Sequence, residues 1–219
     1  MSNSRRRSGR RLRYLLARAP VAAVLVAGCA PAGPAGPPRA PAPTSSAPPS
    51  AASASPSAGS ASTAGFAPQV RRYSAAAGVD AQLLMAILYN ESYKPHDPKL
   101  ERAWQKMDPN AAFGVANMHR GTFDDTKRGR DFAGRTWEEL PDDPDLAIEA
   151  AAWYLHDLAA VLPAHWPARY TRDELLALGY NAGPGSMKSF AGGATPGPVA
   201  QSYLDRLHAN WDAAAEALR

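Results

Sequence analysis

The sequence predicts a mainly α-helical single domain over residues 66–219, carried behind an export signal and a low-complexity spacer. Three observations support this. Apolar residues recur at three- and four-residue intervals in separate stretches of that region. No alternating run of β-branched residues in it is long enough to make a strand. The 36 residues before it, 30–65, hold 12 Ala, 9 Pro, 8 Ser, 4 Gly, 2 Thr and one charge, Arg39, and can bury no core.

Residues 1–28 have the layout of a secretory signal. Arg5, Arg6, Arg7, Arg10, Arg11, Arg13 and Arg18 make a cationic start, and Tyr14-Leu15-Leu16 and the run from Val21 to Val26 form a short apolar stretch. Ala27-Gly28 are small residues at a cut. The apolar run is too short to cross a bilayer. Val26-Ala27-Gly28-Cys29 resembles a bacterial lipobox, in which the cysteine is lipidated and becomes the new N-terminus. The alternative is an ordinary signal peptide followed by an incidental cysteine. Cys29 is the only cysteine, it ends the apolar stretch, and a spacer follows it, which favours the lipobox. Two acyl chains on it suffice for stable anchoring. The expected location is therefore outside the cytoplasm, anchored to the membrane, or secreted if the lipobox reading fails. Residues 29–65 then serve as a disordered linker that holds the domain off the membrane. Arg10-Arg11 hints at a twin-arginine signal, but the residues after the pair fit it poorly, and the export route stays open.

Setting the signal aside changes the charge balance. The chain has 24 basic and 20 acidic residues, net +4, with a pI near 9.3. Seven of the basic residues lie in the signal, so the remaining 17 face 20 acids, net −3. A mildly acidic domain is a poor nucleic-acid binder, and no such partner is expected.

Within the domain, residues 69–77 form a short helix stopped by Gly78. Asp80 caps a strong helix over 81–92 with Leu83, Leu84, Ile87 and Leu88 on it. Residues 93–143, broken by Pro95, Pro98, Pro109, Gly114, Gly121 and Pro141, read as irregular with a few helical turns. A helix over 145–162 carries Ile148, Ala151, Leu155, Leu158 and Leu162 on one face. Thr171 and Glu174 make a capping-box pattern opening a helix over 172–180, and residues 181–185 then break the chain. The last helix, 199–218, lines up Val199, Tyr203, Leu207 and Trp211.

One carboxylate stands out in this layout. Leu84, Ile87, Leu88 and Glu91 fall at i, i+3, i+4 and i+7, so Glu91 continues an apolar stripe at the C-terminal end of its helix. Desolvation and the helix dipole at that position both favour the protonated acid, the form that serves as a general acid. The simpler reading of Glu91, on pattern alone, is an exposed residue at a helix end.

Longer motifs add to the pattern. Glu91-Ser92, the segment Gly114-Val115-Ala116-Asn117-Met118-His119-Arg120-Gly121-Thr122, and Tyr180-Asn181-Ala182-Gly183-Pro184-Gly185 resemble, in that order, the three signatures of the soluble lytic transglycosylase (SLT) family. Gly78-Val79-Asp80 and Asp143-Pro144-Asp145-Leu146-Ala147-Ile148 with Tyr154-Leu155 resemble its supporting features. The resemblance covers nearly all of 66–219, and the hexapeptide is its most specific part. It implies a lysozyme-like fold that cleaves the MurNAc–GlcNAc bond of peptidoglycan. It also implies a 1,6-anhydro product, because the muramoyl C6 hydroxyl closes on C1 in place of water. Glu91 is then the single acid and base, whereas ordinary glycosidases need two carboxylates. Ser92, Asn117, Tyr180 and Asn181 are the implied substrate-binding residues. No cofactor or metal is implied, the partner is the glycan strand, and a monomer is expected.

The chain departs from the family pattern in places. Asn117 stands where the family has Gln, Ala116 where it has Met, and Arg120 where it has Pro. The stretch from Glu91 to Gly114 is several residues longer than usual and carries Trp104, Lys106 and Asp108, either as a groove wall or as a surface loop. Asp97, Glu101, Asp124 and Asp125 read as solvated acids. Any one of them placed across from Glu91 would instead make the enzyme a lysozyme-like hydrolase. A groove that has drifted further would leave a binding lipoprotein without activity. The five histidines show no metal-ligand spacing, and there is no nucleophile elbow, P-loop or dinucleotide fingerprint. Among the tryptophans, Trp153 and Trp211 read as packing residues and Trp166 as the better candidate for stacking on a sugar.

Overall fold

A computed structural model of the chain describes residues 62–93, 96–167 and 169–219. The signal segment 1–28, Cys29 and the linker up to residue 61 lie outside the described residues. A turn closed by Gly65 N–H donating to the Ser62 carbonyl at 3.2 Å leads into helix α1, Ala67–Ala77. That helix ends as expected, with Gly78 in the left-handed region at φ 66°.

Helix α2, Ala81–Glu91, is opened by Asp80, whose carboxylate accepts from Leu83 N–H at 2.8 Å. Every residue from Leu83 to Asn90 is buried, so α2 runs through the core instead of lying on it. Each fully buried Leu or Ile of this kind contributes roughly 1.5–3 kcal/mol. Asp143 caps helix α5, Pro144–Val161, which follows a shorter helix α4, Arg120–Thr126, and a 3₁₀ turn over Trp137–Glu139. The capping box at Thr171 forms with both of its bonds, Glu174 N–H to Thr171 Oγ1 at 3.2 Å and Thr171 N–H to Glu174 Oε2 at 2.7 Å. It opens helix α6, Arg172–Ala191. Helix α7 is Pro198–Ala217.

α2 packs most extensively on α7, while α1 lies on α5, α5 on α6, and α6 on α7. The mainly helical architecture is thus the one the sequence predicts. A buried polar link ties the central pair together. Asn90 Nδ2 donates to the Tyr203 carbonyl at 3.1 Å, and Asn90 Oδ1 accepts from Asn210 Nδ2 at 2.8 Å.

Three local expectations change. Residues 93–143 are more regular than the prolines suggest. Asp97 accepts from Lys99 and Leu100 N–H and starts helix α3, Pro98–Met107, with Pro98 in the first turn where its missing N–H costs nothing. A two-stranded antiparallel hairpin follows, β1 Ala112–Phe113 paired with β2 Met118–His119. α6 does not stop at Tyr180. Its path breaks only at Gly183 (φ 82°, ψ 166°), and Pro184, with φ preset for a first turn, restarts the helix at once. Val199 is exposed at the start of α7, whose buried stripe is Tyr203, Leu204, Leu207 and Ala214.

Candidate active site

Glu91 is the last residue of α2, and Leu84, Ile87 and Leu88 beneath it are all buried. Ser92 ends the helix. Its N–H donates to the Leu88 carbonyl and its hydroxyl donates to the Tyr89 carbonyl at 2.8 Å. The carboxyl group therefore leaves the helix where the backbone stops rising, half-buried, and lines a groove of about 820 Å³ together with Ser92.

The hairpin brings the second element to it. Asn117 N–H donates to the Gly114 carbonyl at 2.9 Å, closing the loop between β1 and β2. Both residues have left-handed backbones, φ 75° for Gly114 and φ 48° for Asn117. Asparagine is among the few residues that tolerate this. Gly114 has no substitute, because a Cβ there would sit 2.8 Å from the Leu140 carbonyl oxygen. The loop aims Asn117 Nδ2 at Glu91 Oε2, to which it donates at 3.0 Å. The shorter side chain therefore still reaches the acid. Ala116 points away from the groove and is fully buried.

Tyr180 of α6 donates its hydroxyl hydrogen to the Ala116 carbonyl at 2.7 Å, with its ring 5.5 Å from that of Tyr154. It thus holds the backbone of the loop that carries Asn117. Burial, and after it the nearby Glu91 charge, push the Tyr180 phenol well above its ordinary value, so the hydroxyl remains a donor. Asn181, the next residue, is exposed and does not line the groove.

Tyr203 of α7 is a site residue that the sequence reading places only in the core. Its hydroxyl donates to Glu91 Oε1 at 2.9 Å, and burial, followed by the Glu91 charge, keeps this phenol well above its ordinary value too. A signal was available, since a tyrosine on a buried stripe must find a partner for its hydroxyl.

Glu101 is also more than a solvated acid. Half-buried on α3, it accepts from Gly114 N–H at 2.9 Å through Oε2 and pairs with His96 Nδ1 at 2.8 Å through Oε1. The bond to Glu101 raises the His96 pKa above its ordinary value against the opposing effect of burial. Trp166, the tryptophan the sequence favours, donates to the Tyr170 carbonyl at 2.9 Å and does not line the groove, whereas Trp104 of α3 does. His96, Leu100, Glu101, Trp104 and Asp108 therefore form a wall of the groove. Among the described residues no three His, Cys, Asp or Glu side chains cluster to hold a metal ion.

Residues 69–194 match the family described as the transglycosylase SLT domain. The chain belongs to this family. The SLT match takes in Glu91, the hairpin and Tyr180 but stops before Tyr203. No match was found among curated proteins or among solved structures. Membership supports a transglycosylase-type function acting on peptidoglycan. Within this SLT domain, a carboxyl group at a groove wall is held by an amide and a phenol from two other elements.

Proposed function

We propose that the protein is a lytic transglycosylase that cleaves the MurNAc–GlcNAc β-1,4 bond of peptidoglycan, with Glu91 as its single general acid and base. The observation that carries this reading is the holding of Glu91 by Asn117 at 3.0 Å and Tyr203 at 2.9 Å at the edge of the groove. Protonated Glu91 gives its hydrogen to the glycosidic oxygen. The C1–O4 bond then breaks, its electron pair stays on that oxygen, and the muramoyl C1 becomes electron-poor. The C6 hydroxyl oxygen of the same sugar attacks C1, its proton passes to the Glu91 carboxylate, and the acid is restored. No water is consumed.

The two donors differ in a way that suits this cycle. An amide N–H can only donate, whereas a phenol can donate to a carboxylate or turn and accept from a carboxylic acid. Oε1, beside Tyr203, is thus the better seat for the travelling proton, and Asn117 fixes the orientation of the group through Oε2. Ser92 lines the groove beside the acid, and Tyr180 acts on substrate through the loop it holds.

Digestion of purified sacculi, with the ends of the released muropeptides read by mass spectrometry, tests the reading. Anhydro ends are expected. Reducing ends would make the enzyme a hydrolase, and no release would leave a binding protein. Glu91→Gln keeps the shape of the side chain and removes its titrating proton, so cleavage should vanish with the unfolding midpoint unchanged. Undiminished cleavage would overturn the role of Glu91.

We also propose that Cys29 is lipidated and that the linker keeps the domain near the wall, a reading supported by the sequence motif. Cys29→Ser should then give a soluble, unlipidated protein, and its recovery in the membrane fraction would contradict the anchor.

A further inference from the structure

We infer that α3 is a sugar-binding ledge, with Trp104 as a residue that grips the glycan strand beside the bond being cut. The inference rests on the transglycosylase reading for the identity of the strand, but its geometry is independent of the chemistry at Glu91.

α3 is mounted with its faces reversed. A helix on the surface of a domain ordinarily buries its apolar side and shows its polar side to water. Here the polar residues do the anchoring. Gln105 is buried and donates to the Trp137 carbonyl at 3.3 Å, Glu101 accepts from Gly114 N–H, and Arg102 is ion-paired with Asp142. The large apolar residues are left outside, Leu100 at 69% and Trp104 at 61% of full exposure. These two are one helical turn apart and both line the groove that holds Glu91. Leu100 and Trp104 thus lie about 6 Å apart along the helix at ~1.5 Å per residue, and Asp108, just past the helix end, also lines the groove. Two large apolar residues left exposed side by side on a groove wall, while polar residues anchor their helix, mark a contact site.

The site specifies the chemistry of its occupant. The ligand must be apolar on one face to lie on Leu100 and Trp104, polar at its edges to meet Ser92, Asn117 and Asp108, and long enough to run from the ledge to the acid. An N-acetylated pyranose strand fits all three, with C–H groups on its ring faces and acetyl methyls, and with hydroxyls around its rim. The ledge is continuous with the groove that takes the scissile bond, so the same strand occupies both.

Binding of peptide-free glycan strands, prepared by removing the stem peptides from peptidoglycan, tests the inference in full-length protein carrying Glu91→Gln. Adding Trp104→Ala should weaken binding about tenfold and Trp104→Phe much less, as expected when a single aromatic contact is lost. Trp104 is exposed, so the unfolding midpoint should not move, and in the otherwise native enzyme KM should rise while kcat holds. Equal binding by the Trp104→Ala form would overturn the ledge. So would a loss seen only with peptide-bearing strands, which would assign the ledge to the stem peptide, or the absence of measurable strand binding by the Glu91→Gln parent. Failure of the native enzyme to cleave sacculi, with the tenfold loss of binding still observed, would remove the catalytic reading and leave the ledge standing.

Discussion

Tyr203 donates its phenolic hydrogen to Glu91 across 112 positions of sequence, at 2.9 Å, and so joins the last long helix to the acid at the end of the second. Asn90, the neighbour of Glu91, grips the backbone of the same tyrosine. The acid is thereby set by the packing of α2 on α7 as much as by its own helix.

Tyr203→Phe removes one hydroxyl and leaves the ring to fill its place. A hydrogen bond to a charged group is worth about 1.5–3 kcal/mol, so kcat on sacculi should fall roughly 10–100-fold with little change in KM. Circular dichroism should stay native, and the unfolding midpoint should fall by only a few degrees as the same bond is lost from the folded state. A variant with unchanged kcat would show that the phenol is a bystander.

Asn117 does two things that two substitutions can separate. Asn117→Gly keeps a backbone that accepts φ 48° but loses the amide that meets Glu91. Asn117→Ala loses both, and the left-handed backbone then costs about 1–2 kcal/mol. Activity should fall alike in the two variants, while only the alanine form should unfold earlier on heating. Equal stability of both would show that the loop does not hold this position left-handed.

Gly114→Ala should be among the most damaging small changes. The left-handed backbone costs about 1–3 kcal/mol by itself, and the new methyl group would meet the Leu140 carbonyl at 2.8 Å. The midpoint should drop by several degrees, and activity should drop with it as the Asn117 loop shifts. Native stability in this variant would contradict the close approach of loop and Leu140.

The His96–Glu101 pair makes the attachment of α3 depend on pH. Because its bond to Glu101 raises the folded pKa of His96, the pair contributes fully below the ordinary histidine value of about 6.5. That contribution is lost as pH rises through the raised value. Hydrogen-exchange protection of Gly114 N–H, corrected for the intrinsic rate, should therefore be greatest in mild acid and decline above it. His96→Gln should flatten the profile. Protection that grows with pH would reverse the sign and sink the argument.

Much of this was readable where the signal is local. Asp80, Gly78 and the Thr171–Glu174 box announce helix ends through bonds made within three or four residues, and the apolar stripe leading to Glu91 is a property of one helix. α3 was hidden because its prolines look like breakers, although Asp97-Pro98 is a cap followed by a first-turn proline. The hairpin has two residues in each strand, too few for any alternation to register, and its loop is held from other elements by Tyr180 and Glu101. Tyr203 showed that its hydroxyl needed a partner, as any tyrosine on a buried stripe does, but not which one. Its partner is far off in sequence, and only the packing of two helices brings them together.

The break at Gly183 and the restart at Pro184 leave α6 bent immediately after the tyrosine that holds the loop, and α7 then returns to close on α2. The consequence is one of distance along the chain. The amide that meets Glu91 comes from 26 positions away and the phenol from 112, so truncation before α7 would spare every residue of the hairpin contact and remove the other donor outright.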